Sequence, residues 1–377
     1  MRPLRLWAVA RKEFIHIFRD PRSLAMAVAI PLLQLLLFGY ALTLDVDNVP
    51  LVVWDQSESQ ASRELVSRFD GSRYFSLRLQ ARNYGEIERA IDSGQALVAL
   101  VIPRDFARRI ESASSAAVQL IVDGSDSNTA TIAIGYAELL TQTYSQEVAL
   151  QKIRRLGGQP MRKPLDLRAR AWFNVEMQSK NFIIPGLIAV IMNVIAALLT
   201  SLTVAREWES GTMEQLISTP VRGPELILGK LLPYFSIGMF DVLLAVLMGK
   251  FLFQVPLRGN AALVFSTAAI FLTGVLSLGI LISIVTKSQL LSSQVAMIVT
   301  YLPALLLSGL VFAITNMPKP LQLITYLIPA RYFVKLLRGI YLKGLGLELL
   351  ALEAALLTVF GVVVLVLANA KFKKKLV

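Results

Sequence analysis

Residues 206–230, REWESGTMEQLISTPVRGPELILGK, form a polar segment between two long apolar runs, 182–205 and 231–253. The segment carries four carboxylates: Glu207, Glu209, Glu214 and Glu225. Apolar runs of about 20 residues or more predict membrane-spanning helices, so we expect this segment to connect two spans at the membrane surface. A polar connection of this length offers a soluble partner a place to bind.

A short amphipathic helix is predicted inside this segment, over residues 211–219. Gly211 interrupts the preceding helical pattern, and Thr212 is placed to cap the helix that follows. Met213, Leu216 and Ile217 lie three and four residues apart and therefore share one face. A further helix is predicted to begin behind the next Gly-Pro pair.

The composition predicts a polytopic membrane protein. Of the 377 residues, 55% are hydrophobic and only 17% are charged, and the mean hydropathy is +0.59. Six runs are long enough to cross a bilayer: 23–44, 182–205, 231–253, 261–286, 290–314 and 349–370. The predicted fold is therefore an α-helical protein with six transmembrane helices, and an even number places both termini on one side.

The distribution of basic residues predicts which side that is. On the side of the termini lie 14 Lys and Arg residues, against seven in the short loops opposite. This twofold bias predicts cytoplasmic termini. Residues 45–180 hold equal numbers of basic and acidic residues, so the net charge of +12 belongs to the membrane part and gives no support to nucleic-acid binding.

Residues 1–22 are predicted to form an interfacial amphipathic helix before the first span. Apolar residues at 7, 10, 14, 17 and 18 keep a helical stripe among arginines and a lysine. A plain basic flank that enforces topology is the alternative.

Residues 45–180 are predicted to form an extracytoplasmic α/β domain inserted after the first span. Short β-rich runs at 51–54, 75–79, 96–102 and 117–122 alternate with helical spacing at 60–69, 84–93 and 104–112, and a long helix is predicted over 130–156. Alternation of this kind predicts helices packed against one sheet. Polar residues at the strand ends, such as Asp55 and Asp123, are candidates for a ligand site, but turn chemistry is the favoured explanation.

Three polar residues fall near the middle of predicted spans: Gln34, Asn193 and Asp241. Polar side chains at this depth either bond neighbouring helices together or serve the transported substrate. We favour interhelical bonding for Gln34 and Asn193, and both interpretations stay open for Asp241.

Residues 315–346, on the predicted outer side, form an interfacial or re-entrant element. Its last helix has an apolar face and a basic face with Arg331, Lys335 and Arg338, a pattern that predicts a helix lying at the outer surface. The basic face is a candidate contact for anionic lipid, although a solvated charged face is the more common explanation, and Glu353 is a candidate partner for one of these bases.

The sequence lacks recognisable motifs for nucleotide binding, metal binding or hydrolysis. GPELILGK at 223–230 has the wrong glycine spacing for a phosphate loop and lacks its Ser or Thr, so the chain is not expected to bind ATP. There is no cysteine and only one histidine, which argues against a zinc site, and neither HExxH nor GxSxG occurs. We expect no catalytic residues, no metal and no cofactor bound by this chain.

Three stretches in order resemble the type-2 permease family of ATP-binding cassette (ABC) exporters: RKEFIHIFRDPRSLAMAVAIPLLQLLLFGYAL at 11–42, the polar segment 206–230 and LIPARYFVKLLRGIYLKG at 327–344. The resemblance implies a type-2 permease core over 181–377 with a cytoplasmic coupling segment at 206–230. It also implies a location in the bacterial cytoplasmic membrane, and a large domain after the first span is similar to the branch that contains drug and lipid exporters.

The resemblance further implies the partners and the energy source. ATP and Mg would be used by a separate ABC ATP-binding subunit, which would contact this chain at Arg206, Glu207, Glu209, Gly211, Thr212, Glu214 and Leu216. A second permease chain, identical or similar, would complete a path for a hydrophobic or amphipathic substrate, and a periplasmic adaptor is a further candidate partner. Reversing a buried and paired charge at the contact would cost about 2–5 kcal/mol.

Two other classes of function remain as alternatives. A membrane-anchored sensor or scaffold would bind a ligand or adaptor with its outer domain, although six spans favour transport. An intramembrane enzyme would need a catalytic constellation, and none is evident in the sequence.

Overall fold

The computed structural model describes residues 2–41, 46–112, 115–155, 172–174 and 178–372. The contacts of the chain divide it into a helical unit, residues 1–44 with 170–377, and an α/β unit, residues 45–169. In chain order the elements are α1 Pro3–Arg19, α2 Pro21–Ala41, β1 Val49–Asp55, α3 Gln60–Asp70, β2 Phe75–Gln80, α4 Tyr84–Asp92, β3 Val98–Ile102, α5 Phe106–Glu111, β4 Gln119–Val122, α6 Ser127–Arg155, α7 Ser179–Glu209, α8 Thr212–Ser218, α9 Gly223–Phe251, α10 Ala261–Thr286, α11 Gln289–Leu307, α12 Lys319–Ile324, α13 Pro329–Lys343 and α14 Leu347–Lys371.

Five helices in the described part of the chain are long and apolar enough to cross a membrane: α7, α9, α10, α11 and α14. They lie at the last five predicted spans, and α10 coincides with the predicted 261–286. The first predicted span, 23–44, overlaps α2, whose apolar part Ala27–Ala41 is shorter, and residues 42–44 lie outside the described residues. The chain is thus a multi-pass helical protein, and a count of six spans stays a prediction.

Helix α7 is the centre of the helical unit, and it packs against α2, α9, α10, α11 and α13. Every residue from Ile183 to Ala197 is buried, because apolar or small residues occupy nearly all positions of this part of the helix. Its approach to α10 depends on Gly279, where an added Cβ would lie 2.0 Å from Thr200 Oγ1. Close contacts through small residues are the usual means of packing helices in lipid.

Helix α13 lies within the helical unit, between α7, α10 and α14. Phe333 stacks on Phe271 of α10 with ring centroids 4.2 Å apart, at a point ten residues, or about 15 Å, from the start of α10. Helix α13 is therefore mostly buried against other helices, and whether the element is interfacial or re-entrant stays a prediction. Arg331 and Arg338 are partly buried and have partners inside the unit, described below, whereas Lys335 is exposed.

The α/β unit contains a four-stranded sheet with strand order β2-β1-β3-β4. Strand β1 pairs in parallel with β2 and β3, and β4 is antiparallel to β3. Successive residues of β1 face opposite sides: Leu51 and Val53 pack in the core with residues of α3, α5 and α6, and Val52 packs with residues of α4. Helices therefore cover both faces of this sheet, as parallel pairing requires.

The carboxylates at the strand ends make turns. Asp55 Oδ1 accepts hydrogen bonds from the backbone nitrogens of Ser57 and Glu58, and Asp123 Oδ1 accepts one from that of Ser125. Hydrogen bonding to Ser125, chiefly from its backbone nitrogen, lowers the pKa of Asp123. Turn chemistry thus accounts for both side chains.

Candidate functional site

The connection between α7 and α9 is shorter than the polar segment predicted from sequence. Helix α7 continues to Glu209 and α9 already begins at Gly223, so the ends of segment 206–230 are extensions of the two long helices. The chain reverses at Gly211, whose φ of +71° lies in the left-handed region that favours glycine. The short helix α8 is therefore connected by short turns to two membrane-length helices, α7 and α9.

The predicted role of Thr212 as the cap of α8 is wrong. Gly211 occupies the N-cap position, and no side-chain cap bond is made there. The Thr212 hydroxyl instead donates to the carbonyl of Glu207 at 3.4 Å and lies 3.0 Å from the Ser210 hydroxyl. Because the left-handed glycine turns the chain, this hydroxyl meets the end of α7 rather than the start of α8.

Helix α8 has one buried face and one exposed face. Met213 is fully buried in the main core of the helical unit, and Leu216 packs partly buried against the same core. Glu214 and Gln215 are exposed. The side chain of Ile217, the third residue of the predicted stripe, lies outside the described ones. The helix is thus anchored by Met213 and presents its acidic side outward.

Glu207 belongs to a buried network of four charges that joins three helices. Lys230 Nζ of α9 lies 2.8 Å from Glu13 Oε1 of α1 and 2.9 Å from Glu207 Oε2 of α7. Lys12 Nζ, half exposed, lies 2.7 Å from Glu207 Oε1. The Lys230 side chain is only 1% exposed. The network therefore ties α1 to both helices that carry α8.

Sequence reasoning missed Glu13 and Lys230. Glu13 lies on the same helix face as Val9, Ala10 and Ile17, which are all buried in α1. A carboxylate on the apolar face of an amphipathic helix needs a buried cation, and that pattern was the available signal. Its partner is 217 residues away in sequence, so the pairing itself was not predictable.

The other residues of the predicted coupling segment also bond within the chain. Glu209 accepts hydrogen bonds from the backbone nitrogen of Gln289 at 2.8 Å and from its side-chain amide at 2.6 Å. Arg206 Nη1 lies 3.1 Å from His16 Nε2, and Arg206 Nε donates to Gln289 Oε1 at 3.4 Å. Glu225 accepts bonds from the backbone nitrogens of Arg222 and Arg2. Among the four carboxylates of the segment, only Glu214 has no bonding partner in the described part of the chain.

The predicted intramembrane polar residues lie apart from this network. Asn193 donates to the carbonyl of Thr300 on α11 at 3.2 Å, a bond of the kind that the interhelical interpretation predicts. Asp241 is 1% exposed, and its Oδ1 finds no hydrogen-bond partner among the described residues. Gln34 is partly buried on α2. Among the described residues, no hydrogen bond joins any two of these three side chains.

The three predicted outer bases bond to different partners. Lys335 pairs with Glu353 of α14, the candidate partner identified from sequence. Arg338 donates to the carbonyl of Gly309 at 2.8 Å and lies over the ring of Phe182 at 3.4 Å. Arg331 bonds the hydroxyl of Thr325 and lies 3.8 Å from the ring centre of Tyr326. These bonds hold α13 to α14, to α7 and to the segment before it.

Comparison with known proteins places the architecture in a family. Residues 21–369 match the model of the ABC-2 family transporter protein. The chain is 39% identical over 373 residues to the probable multidrug ABC transporter permease YbhS of Escherichia coli (strain K12), covering 99% of this chain and 97% of the relative. It is 34% identical over 345 residues to the probable multidrug ABC transporter permease YbhR of the same organism, covering 92% of each. The inner membrane transport permease YhhJ of that organism is 27% identical over 334 residues, which cover 86% of this chain and 85% of the relative.

Proposed function

The chain belongs to the ABC-2 family of transporter proteins, and on that premise we propose that it is the permease subunit of an ATP-driven exporter, with α8 as the contact for a separate ABC ATPase. The observation that carries the proposal is the attachment of α8. A seven-residue helix with an exposed acidic face follows α7 after a two-residue turn, precedes α9 by four residues, and is anchored in the core of the unit by Met213. Movement of α8 is therefore passed to α7 and α9.

The proposed topology has six spans, with α2 as the first and both termini in the cytoplasm. The twofold excess of basic residues on the side of the termini supports this orientation. It places α8 in the cytoplasm and the α/β unit outside the membrane. Helix α1 would lie along the inner surface, and α12 with α13 would re-enter the membrane from outside. The burial of α13 between three helices supports re-entry over a surface position.

The ATPase contact is proposed to centre on Glu214 and its exposed neighbour Gln215. Glu207 and Glu209 are occupied by bonds inside the chain, so their proposed role is to hold α8 in position. Closure of two ATPase subunits on ATP and Mg would push α8, and the buried charges would pass the push to α1, α7 and α9. Rocking of packed helices is an established way to convert such a push into opening of a path.

The proposed substrate is hydrophobic or amphipathic, moved outward along a path that two permease chains form. The apolar helices of the unit suit such a molecule, and two relatives are named as multidrug permeases. A periplasmic adaptor that binds the α/β unit is part of the same proposal. The chain itself would need no cofactor.

Reversing the charge of Glu214 is expected to release the ATPase. The Glu214→Lys variant should bind the ATPase at least about 30-fold more weakly, equivalent to about 2 kcal/mol or more, if the carboxylate is paired in the complex. Co-purification in mild detergent with a co-expressed ABC ATPase tests this.

The matched control is Glu348→Lys, which reverses an exposed carboxylate at the start of α14 on the opposite side. It should leave the complex intact. If both variants retain the ATPase equally, α8 is not the contact. If the wild-type chain binds no ATPase at all, the sensor or scaffold function takes precedence.

A further inference from the structure

A cavity of about 230 Å³ opens between α1, α2, α7 and α9 of the helical unit. Its walls are mostly apolar and include Ile30 of α2, Leu198 and Leu202 of α7, and Tyr234 of α9. At one end the lining becomes polar, and Arg206 is part of that end. We call this cavity the groove. The functions proposed above for the charged network and for the intramembrane polar residues do not involve it.

The length of the groove matches one leaflet of a bilayer. Its α7 wall runs along a single helix face from Ile195 through Leu202 to Arg206, which are seven and four residues apart. At 1.5 Å per residue this wall is about 16 Å long. Half of a hydrocarbon core of about 30 Å is about 15 Å. In the proposed orientation Arg206 lies at the cytoplasmic headgroup level and Ile195 near the bilayer centre.

The polar end carries a guanidinium group with an unused donor. Arg206 Nε bonds Gln289 and Nη1 lies beside His16, whereas Nη2 makes no hydrogen bond within the described residues. Guanidinium groups bind phosphate through two neighbouring N–H groups. Asp20 lines the same end, so the headgroup would meet one carboxylate as well as these bases.

We propose that this groove holds one phospholipid of the inner leaflet as a resident ligand, with an acyl chain between α2, α7 and α9 and its phosphate at Arg206. The lipid would fill the space between α1 and α7 beside the buried charges. The proposal uses the proposed orientation of the chain but not the ATPase, so its test is made on the permease alone.

Native mass spectrometry of the purified chain tests occupancy. The wild type should retain one phospholipid per chain after delipidation, and Leu202→Trp, which fills the groove, should lose at least about ten-fold of that occupancy. The control is Leu290→Trp, which adds the same ring at an exposed position of α11. Equal lipid retention in wild type and Leu202→Trp would overturn the proposal.

Cysteine labelling tests the headgroup without relying on a bulky substitution. The chain has no cysteine, so Leu198→Cys places a single thiol in the groove. Phosphatidylglycerol should slow its reaction with a maleimide about ten-fold, diacylglycerol should not, and adding Arg206→Gln should remove the protection. Equal protection by both lipids would overturn the role of the phosphate.

Discussion

Replacing Lys230 by methionine is expected to destabilise the folded chain by about 3–5 kcal/mol, because it leaves buried carboxylates without their cation. Glu13 and Glu207 both lie within 3 Å of the Lys230 ammonium and are nearly inaccessible to water. Lys12 remains beside Glu207, so Glu13 carries most of the penalty and the lower end of the range is expected. The thermal midpoint of the purified chain in detergent, and its folded yield, measure the effect.

Two variants distinguish the network from general damage. Lys250→Met removes an exposed cation at the other end of α9 and should change the midpoint little. Adding Glu13→Gln and Glu207→Gln to Lys230→Met removes the stranded charges and should recover most of the loss. If Lys230→Met is as stable as Lys250→Met, the buried network does not hold α1, α7 and α9 together.

Met213→Asp is expected to abolish coupling while leaving the membrane helices folded. Met213 is fully buried, so an aspartate there loses the packing and must also find water for its charge. We expect the seven-residue helix α8 to detach from the core, because local opening costs less free energy than unfolding the whole unit. Transport, and any stimulation of the ATPase by this chain, should fall at least about ten-fold.

The control for this variant is Met213→Leu, which keeps the size and apolar character of the side chain and should cost less than about 1.5 kcal/mol. It should retain coupling. The thermal midpoint of Met213→Asp should move less than that of Lys230→Met, because only α8 is displaced. A large drop in the midpoint of Met213→Asp would contradict local release of α8.

The membrane-length helices and the short helix α8 were predictable because their signals are local. The predicted span 261–286 coincides with α10, since a sharp change from polar to apolar residues marks both of its ends. The spacing of Met213 and Leu216 likewise predicts which face of α8 is buried. Both inferences need only neighbouring residues.

The features that the sequence did not predict depend on partners distant in sequence. The basic face of α13 predicts exposure to water, and Lys335 is exposed, but Arg338 is partly buried and bonds the carbonyl of Gly309 inside the unit. The ion pair between Glu13 and Lys230 joins α1 to α9, which are far apart in sequence, and no local sequence pattern links these two residues. Hydrogen bonds between residues distant in sequence depend on how the helices pack, and a local sequence pattern does not show that packing.

The central claim is that α8 connects this chain to the ATP hydrolysis of a partner. The most direct test reconstitutes the chain with its ABC ATPase in proteoliposomes and compares the rate of ATP hydrolysis for wild type, Met213→Leu and Met213→Asp. The account predicts that wild type and Met213→Leu change the rate of the ATPase alike, and that Met213→Asp returns it to the value of the ATPase alone. An equal rate with all three chains would contradict the account.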